Sequence, residues 1–186
     1  MPRPRRRSPV RGSRPPDPMP RTLLQAAAFL LGLWLALLLW PGRAGAASAD
    51  AAAYAPLEAD FFEQINDFRA SQHLILLKRV PEIDRIARAH SEDMAQRHYL
   101  SHVSPEGRNP VDRLQAGGIS GFTLAAENAG MTSRANPNEE IYQGWLHSAD
   151  HRRNLVAPPF NTTGVGIART ADGTWYYTQL YITLPR

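Results

Sequence analysis

The sequence contains no cysteine among its 186 residues. This absence excludes disulfide bonds, a thiol nucleophile and cysteine-ligated zinc. Any metal site must therefore use histidine and carboxylate ligands. The Gly-x-Ser-x-Gly and His-Glu-x-x-His motifs, each typical of a large group of hydrolases, are also absent.

Basic residues are scarce in the part of the chain that is expected to fold. The net charge is +4, from 21 Lys and Arg against 17 Asp and Glu. Eight of those basic residues and one acidic residue lie in residues 1–43, which leaves 13 basic and 16 acidic residues in 44–186. Nucleic-acid binding needs a basic patch on a folded domain, so no nucleic-acid partner is expected.

Charge is missing altogether from residues 22–40, which follow a basic, proline-rich leader at 1–21 that is expected to be disordered. Nineteen residues at 1.5 Å each span roughly 28 Å as a helix, about the thickness of the hydrocarbon layer. Small residues follow, with Ala44-Gly45-Ala46 as a cleavage site. Residues 22–46 are therefore predicted to be a signal peptide, or a membrane anchor through 22–40 if uncleaved. Either way the rest of the protein is extracytoplasmic: secreted or periplasmic, or anchored.

Helical periodicity characterises the first part of the folded region, after an alanine-rich linker predicted at residues 47–56. Apolar residues recur at helical spacing to about Gln72, which predicts an amphipathic helix; they are Leu57, Phe61, Ile65 and Phe68. Three further helices are expected, each with a proline suited to its first turn; they cover about 81–99, 110–117 and 137–148.

The period changes toward the C-terminus. Residues 162–168 and 175–183 are rich in β-branched and aromatic residues, and Asp172-Gly173 between them is typical of a two-residue hairpin turn. A third strand is expected between Gly121 and Gly130. The prediction is an α+β fold with helices covering a small antiparallel sheet.

Two histidines follow two of the predicted helices. His102 lies just after the second helix and His151 just after the fourth, where loops could aim both imidazoles at one divalent ion. Spacing alone does not show that they converge, and simple surface placement remains the alternative. A third histidine, His90, lies between Ile86 and Met94 on a helix face and is interpreted as a hydrogen-bonded structural residue.

Glu127 stands among small apolar residues, with the amide of Asn128 beside it. A buried carboxylate needs a partner, because an unpaired charge inside a protein costs several kcal/mol. Glu127 is thus either a buried structural acceptor or an acid of a functional site. Glu140 lies in the first turn of the fourth helix, where a carboxylate suits the helix dipole, and it could instead face inward.

Together these segments resemble the CAP superfamily (SCP domain; cysteine-rich secretory protein, antigen 5 and pathogenesis-related 1 family), and in particular its bacterial secreted branch. The resemblance covers residues 57–186. Six short motifs occur in the family's order: Ile65-Asn66-x-x-Arg69, Ala87-x-x-His90-Ser91-x-Asp93-Met94-Ala95, Ser101-His102 with Gly107, Ala126-Glu127-Asn128, Trp145-x-x-Ser148-x-x-His151-Arg152-x-Asn154-Leu155, and Gly164-Val165-Gly166 followed by Tyr177-Thr178-Gln179.

The resemblance implies an α-β-α sandwich with a central cleft that carries two histidines and acidic residues. By their motifs, these roles fall to His102, Glu127 and His151. Animal and plant members have a glutamate three residues after the helix tryptophan, where this sequence has Ser148; Glu140 is a candidate spatial substitute.

Two functions from different classes follow. The first is a non-enzymatic, monomeric binding domain whose cleft holds zinc or another divalent cation at His102 and His151, with Glu127, Asn128 and Glu140 as polar cleft residues. Its ligand would be a lipid, sterol, glycan or protein. The second is a metal-dependent hydrolase, in which Glu127 is the base for a zinc-bound water. The usual catalytic zinc has three protein ligands, which favours the binding domain.

Overall fold

The computed structural model describes residues 42–185, with side chains from Ala52 onward. The predicted leader at 1–21 and the uncharged segment at 22–40 lie outside this range, so the disordered leader and the signal peptide or membrane anchor stay predictions. Within the described range, no helix is both long enough and apolar enough to cross a membrane.

The first described helix, α1, runs from Gly42 to Ser71. The helix therefore begins before the predicted start at Leu57 and includes residues 47–56, which were interpreted as a linker. Alanine has the highest helix propensity of all residues, so an alanine-rich segment can continue a helix that its apolar periodicity does not mark. Pro56 lies inside α1 without ending it.

The other predicted helices are confirmed with close boundaries. They are α2 (Pro81–Arg97), α3 (Pro110–Ala116) and α4 (Pro137–His147). Asn109 caps α3 in a capping box, accepting from the Asp112 amide while the Asp112 carboxylate accepts from the Asn109 amide. A short helix that was not predicted, α5, spans Ala149–Leu155 directly after α4. His151, which was expected just past the end of a helix, consequently lies within one.

The sheet contains the three predicted strands and one more. These are β1 (Lys78–Arg79), β2 (Leu124–Thr132), β3 (Thr162–Arg169) and β4 (Trp175–Thr183), in the spatial order β1-β3-β4-β2. The two pairings of β4 are antiparallel, as expected, but the two-residue β1 runs parallel to β3. The sheet is thus mixed, although the predicted antiparallel part forms its centre.

The β3–β4 hairpin closes with three residues instead of the expected two. The amide of Thr170 donates to Thr174 O, and the amide of Gly173 donates back to Thr170 O. Gly173 has a φ of +95°, which is the left-handed conformation that a three-residue hairpin loop requires at this position. The Asp172-Gly173 pair therefore predicted the position of the turn correctly, but the predicted number of loop residues was wrong.

Alternate residues of β4 face opposite layers of helices. Tyr177 and Tyr181 belong to a core with Phe61 of α1 and Trp145 of α4. Leu180 and Ile182 belong to a second core, together with residues of α2 and α3; these are Ile83, Ile86, Ala87 and Leu114. A sheet with apolar residues on both faces needs helices on both sides. The α-β-α sandwich is confirmed.

The α2 helix lies unusually close to β3 because two glycines face it. A Cβ atom on Gly164 would overlap the α2 backbone at Ile83 and Asp84, and one on Gly166 would overlap it at Ala87 and Arg88. The Gly164-Val165-Gly166 motif therefore sets the spacing between helix and sheet.

Carboxylates complete the edge of β3 beyond the end of β1. The Val165 amide donates to Asp84 Oδ1 at 2.8 Å, and the Ile167 amide donates to Glu58 Oε1 at 3.1 Å. Glu58 is fully buried and pairs with Arg88, whose Nε lies 2.8 Å from Oε1. Buried amides need a partner, and here side chains from α1 and α2 take the place of a longer β1.

Candidate functional site

The centre of the candidate site is the carboxylate of Glu127 on β2. The residue is 6% exposed and both of its carboxylate oxygens are engaged. Oε1 lies 2.8 Å from His102 Nδ1, and Oε2 accepts from Arg113 Nη2 at 2.5 Å. The partner that a buried Glu127 requires is thus a pair: the imidazole of His102 and the guanidinium of Arg113.

Sequence reasoning missed Arg113, which α3 carries into the interior beside Leu114. Besides its bond to Glu127, it donates from Nη1 and Nη2 to His102 O, both at 3.1 Å, and from Nη1 to Arg108 O at 2.9 Å. It therefore fixes both the glutamate and the backbone of the loop that carries His102. The available signal was the requirement that Glu127 have a partner, but nothing in the spacing distinguishes Arg113 from the other arginines.

His90 is a buried, hydrogen-bonded residue, as predicted. Its Nε2 lies 2.9 Å from Ser101 O, and burial lowers the pKa of its imidazole. The structure also places Nε2 only 3.8 Å from Glu127 Oε1. His90 thus contacts the loop that carries His102 at its start and also lies beside the carboxylate of Glu127.

Asn128 joins β2 to the helix that carries His151. Its Nδ2 donates to His151 O at 3.0 Å, and its Oδ1 accepts from Asn154 Nδ2 at 2.8 Å. Asn154 also donates to Glu127 O at 3.3 Å. The adjacent residues Glu127 and Asn128 therefore position one histidine each, His102 through its side chain and His151 through its backbone.

The two histidines differ in their surroundings. The hydrogen bond to Glu127 raises the pKa of His102, whose side chain is half exposed. Burial lowers the pKa of His151, and the nearby charge of His102 lowers it further. The ring of His151 lies 6.0 Å from that of Trp145, and it has no hydrogen-bond partner within the described part of the chain.

A cleft of about 340 Å³ opens beside His151. Trp145, Ile141 and Gly130 form its apolar floor, and Leu100 and Met131, both about half exposed, form its rim. The indole Nε1 of Trp145 is buried with no hydrogen-bond partner among the described residues. Apolar surface with few polar groups is typical of ligand pockets.

The structure gathers the predicted site residues only in part. Glu127, His102, Asn128 and His151 belong to one network of contacts, whereas the exposed Glu140 lines the cleft with His151 and makes no side-chain hydrogen bond to any described residue. Glu127 and His102 are not among the residues that line this cleft. Glu127 is a supporting group that orients His102.

The ring nitrogens of the two histidines differ in how far they are engaged. The carboxylate of Glu127 holds His102 through Nδ1, which leaves Nε2 free, and such a carboxylate–histidine pair is common around bound metals. Within residues 42–185, no group of three or more His, Asp or Glu residues has the geometry to hold a metal ion.

We expect Glu127→Gln to lower the pKa of His102, because the amide removes the negative charge that stabilises the imidazolium. NMR titration of the imidazole signals measures this change. The pKa is raised in the folded state, so the interaction stabilises the fold at low pH and is lost as the pH rises through the raised value. Glu106→Gln, on the same loop, is the control and should leave the pKa of His102 unchanged. An unaltered pKa in Glu127→Gln would contradict the assignment.

The fold and the site define a class: an α-β-α sandwich in which a buried glutamate holds one histidine and a second histidine lines an apolar cleft. A model of the cysteine-rich secretory protein family, CAP, matches residues 62–181, well over half of the chain. The chain belongs to the CAP family and is an SCP-domain protein of bacterial type.

Related bacterial proteins support this membership. Protein YkwD of Bacillus subtilis is 32% identical over 120 residues, which cover 64% of this chain and 44% of that protein. The membrane protein YlbC of the same organism is 33% identical over 125 residues, covering 67% and 34%. This chain therefore spans less than half the length of these relatives.

Two solved structures extend the comparison. An extracellular SCP-domain protein of Bacillus anthracis is 35% identical with a TM-score of 0.59, over 68% of this chain and 40% of that one. An outer surface protein of Borrelia burgdorferi, 16% identical, has a TM-score of 0.65 over 71% and 96%. At that identity the second structure supports the fold alone.

Proposed function

We propose that this protein is an extracytoplasmic, monomeric binding domain in which His102 and His151 hold a divalent cation beside the apolar cleft. The observation that carries the proposal is the arrangement of His102: Glu127 holds its Nδ1 at 2.8 Å, so that Nε2 is free to act as a ligand. The imidazole of His151 has no hydrogen-bond partner among the described residues, so both of its ring nitrogens are also free. Imidazole nitrogen suits zinc and copper.

The cleft suggests the kind of molecule that accompanies the cation. Its floor is apolar, and its rim exposes Leu100 and Met131, so an apolar portion of a ligand would be removed from water there. A bound cation would supply a contact for an anionic or carbonyl oxygen of the same ligand. A lipid or sterol meets both requirements, and a glycan or a protein segment with an apolar residue is the alternative.

The hydrolase alternative has less support. A general base must reach the proton that it removes, but both oxygens of Glu127 are engaged, one by His102 and one by Arg113. Its side chain is 1% exposed. A catalytic zinc also needs a third protein ligand, which the described residues do not provide. A binding role therefore accounts for these residues better.

Extracytoplasmic location has support from the comparisons as well as from the leader. The similar protein of Bacillus anthracis is described as extracellular, and YlbC of Bacillus subtilis as a membrane protein. An extracytoplasmic protein would acquire zinc or another divalent cation outside the cytoplasm. The chain has no cysteine, so no thiol of its own would compete with the histidines for that cation.

We expect the double variant His102→Ala, His151→Ala of the full chain to lose zinc affinity while keeping its fold. Removal of both imidazoles removes both ligands, and neither side chain belongs to the hydrophobic core. Isothermal titration calorimetry with zinc measures the affinity, and thermal unfolding followed by circular dichroism measures the fold.

His147→Ala is the matched control. This histidine is exposed on α4, where its Nδ1 contacts Gln143 O, and its loss should leave the affinity for zinc unchanged. Undiminished zinc binding by the double variant would remove the cation from the proposal, as would an equal loss of affinity in His147→Ala.

A further inference from the structure

A second pocket is lined by Arg113 but by neither His102 nor His151. It encloses about 410 Å³ between α2, α3 and the loop that joins them. None of its lining residues also lines the cleft beside His151. Three arginines contribute to its walls: Arg85 from α2, Arg108 from the loop and Arg113 from α3.

The donors of these three arginines are incompletely used. Arg85 makes a single long bond, from Nη2 to Gly117 O at 3.4 Å. The guanidinium of Arg108 forms no hydrogen bond or ion pair with any described residue. Arg113 is 9% exposed, and its Nε is buried with no hydrogen-bond partner in the described chain. A buried unpaired donor requires an explanation, such as an unmapped water or ion.

The pocket also holds two acidic residues, Glu92 and Asp93. Asp93 is engaged by other groups: Oδ2 accepts from Tyr99 at 2.5 Å and Oδ1 from Arg97 at 3.2 Å. Glu92 lies on the same wall, and its charge acts on Arg88, which lies outside the pocket. Arg85 and Arg108 are both exposed, and apart from the bond of Arg85 to Gly117 O their guanidinium groups make no hydrogen bond to a described residue.

We propose that this pocket binds a phosphate group, either as the free anion or as a phosphate ester on a larger molecule. Guanidinium groups suit carboxylate and phosphate oxygens, which they contact through paired, charge-assisted bonds. The three arginines come from three different segments, so they approach a bound group from separate directions. A tetrahedral phosphate offers oxygens in several directions, whereas a planar carboxylate offers two in one plane.

The test is a titration of the full chain with inorganic phosphate, glycerol 3-phosphate and acetate, followed by the NMR signals of the arginine Nε–H groups. We expect phosphate or its ester to shift the Arg113 signal in a saturable manner, and acetate to do so much more weakly. Tighter binding of glycerol 3-phosphate than of free phosphate would identify an ester as the ligand.

Arg108→Gln removes a guanidinium that makes no hydrogen bond or ion pair with a described residue, so it should weaken phosphate binding about tenfold without affecting the fold. Arg153→Gln is the charge-matched control; Arg153 pairs with Asp150 on the surface and lies outside the pocket. The absence of a saturable shift would overturn the proposal. So would equal weakening by the two variants, or acetate binding as tight as that of phosphate.

Discussion

Gly166→Ala is expected to lower the free energy of unfolding by at least about 3 kcal/mol, enough to unfold a large fraction of a marginally stable domain. The added Cβ would overlap the backbone of α2 at Ala87 and Arg88. A clash with a flexible side chain can be relieved by another rotamer, but a clash with helix backbone requires α2 to move away from β3. That movement would open the core that contains Ile83, Ile86 and Ala87.

Gly144→Ala is the matched control. Gly144 lies in α4, and a Cβ there would meet nothing within 4 Å. Since alanine favours a helix over glycine by about 1 kcal/mol, this variant should be as stable as the parent or slightly more so. Urea unfolding of both variants measures the difference. Equal stability of Gly166→Ala and the parent would show that α2 does not pack as closely on β3 as described.

Arg69→Met is expected to destabilise the protein by about 4 kcal/mol, comparable to the cost of breaking a buried charged network. Arg69 is fully buried and donates five hydrogen bonds to backbone carbonyls. The acceptors belong to two segments far apart in sequence; they are Ile75 O, Leu155 O, Ala157 O and Phe160 O. Methionine fills a similar volume but leaves these carbonyls without a donor.

The same substitution should disturb the candidate site. Leu155 is the last residue of α5, the helix that carries His151, so the bond from Arg69 Nη1 at 2.8 Å holds the end of that helix. Arg134→Met, at an exposed position whose side chain makes no hydrogen bond to a described residue, should change stability by less than about 0.5 kcal/mol. Denaturant midpoints that coincide for the two variants would refute the role of Arg69.

Most of the fold was predictable because its signals are local. The apolar spacing in α1 and α2, the prolines at the starts of α2, α3 and α4, and the Asp172-Gly173 turn all act within a few residues. The misses have the same origin. Residues 47–56 lack apolar periodicity although their composition permits a helix, and α5 is a seven-residue helix too short to show a period.

The candidate site was predictable in its members but not in its connections. The resemblance to the CAP family pointed to His102, Glu127 and His151, and the need of a buried carboxylate for a partner was clear from Glu127 alone. The identity of that partner was not clear from the sequence, because Arg113 lies 14 residues away in another element. The role of Asn128, which holds α5 by the carbonyl of His151, depends equally on how the two elements pack.

The sequence by itself determined the family, the α+β class, the positions of most helices and strands, and the exclusion of cysteine chemistry, because composition and short-range periodicity decide these properties. It also determined that the net charge of +4 arises in the leader, while residues 44–186 are mildly acidic. Only the tertiary structure decided that Glu127 is bound on both oxygens, that Glu140 stands apart from it, and that three arginines line one pocket. These properties depend on distances between segments that are remote in the chain. Packing of the hydrophobic cores fixes those distances, and local sequence does not.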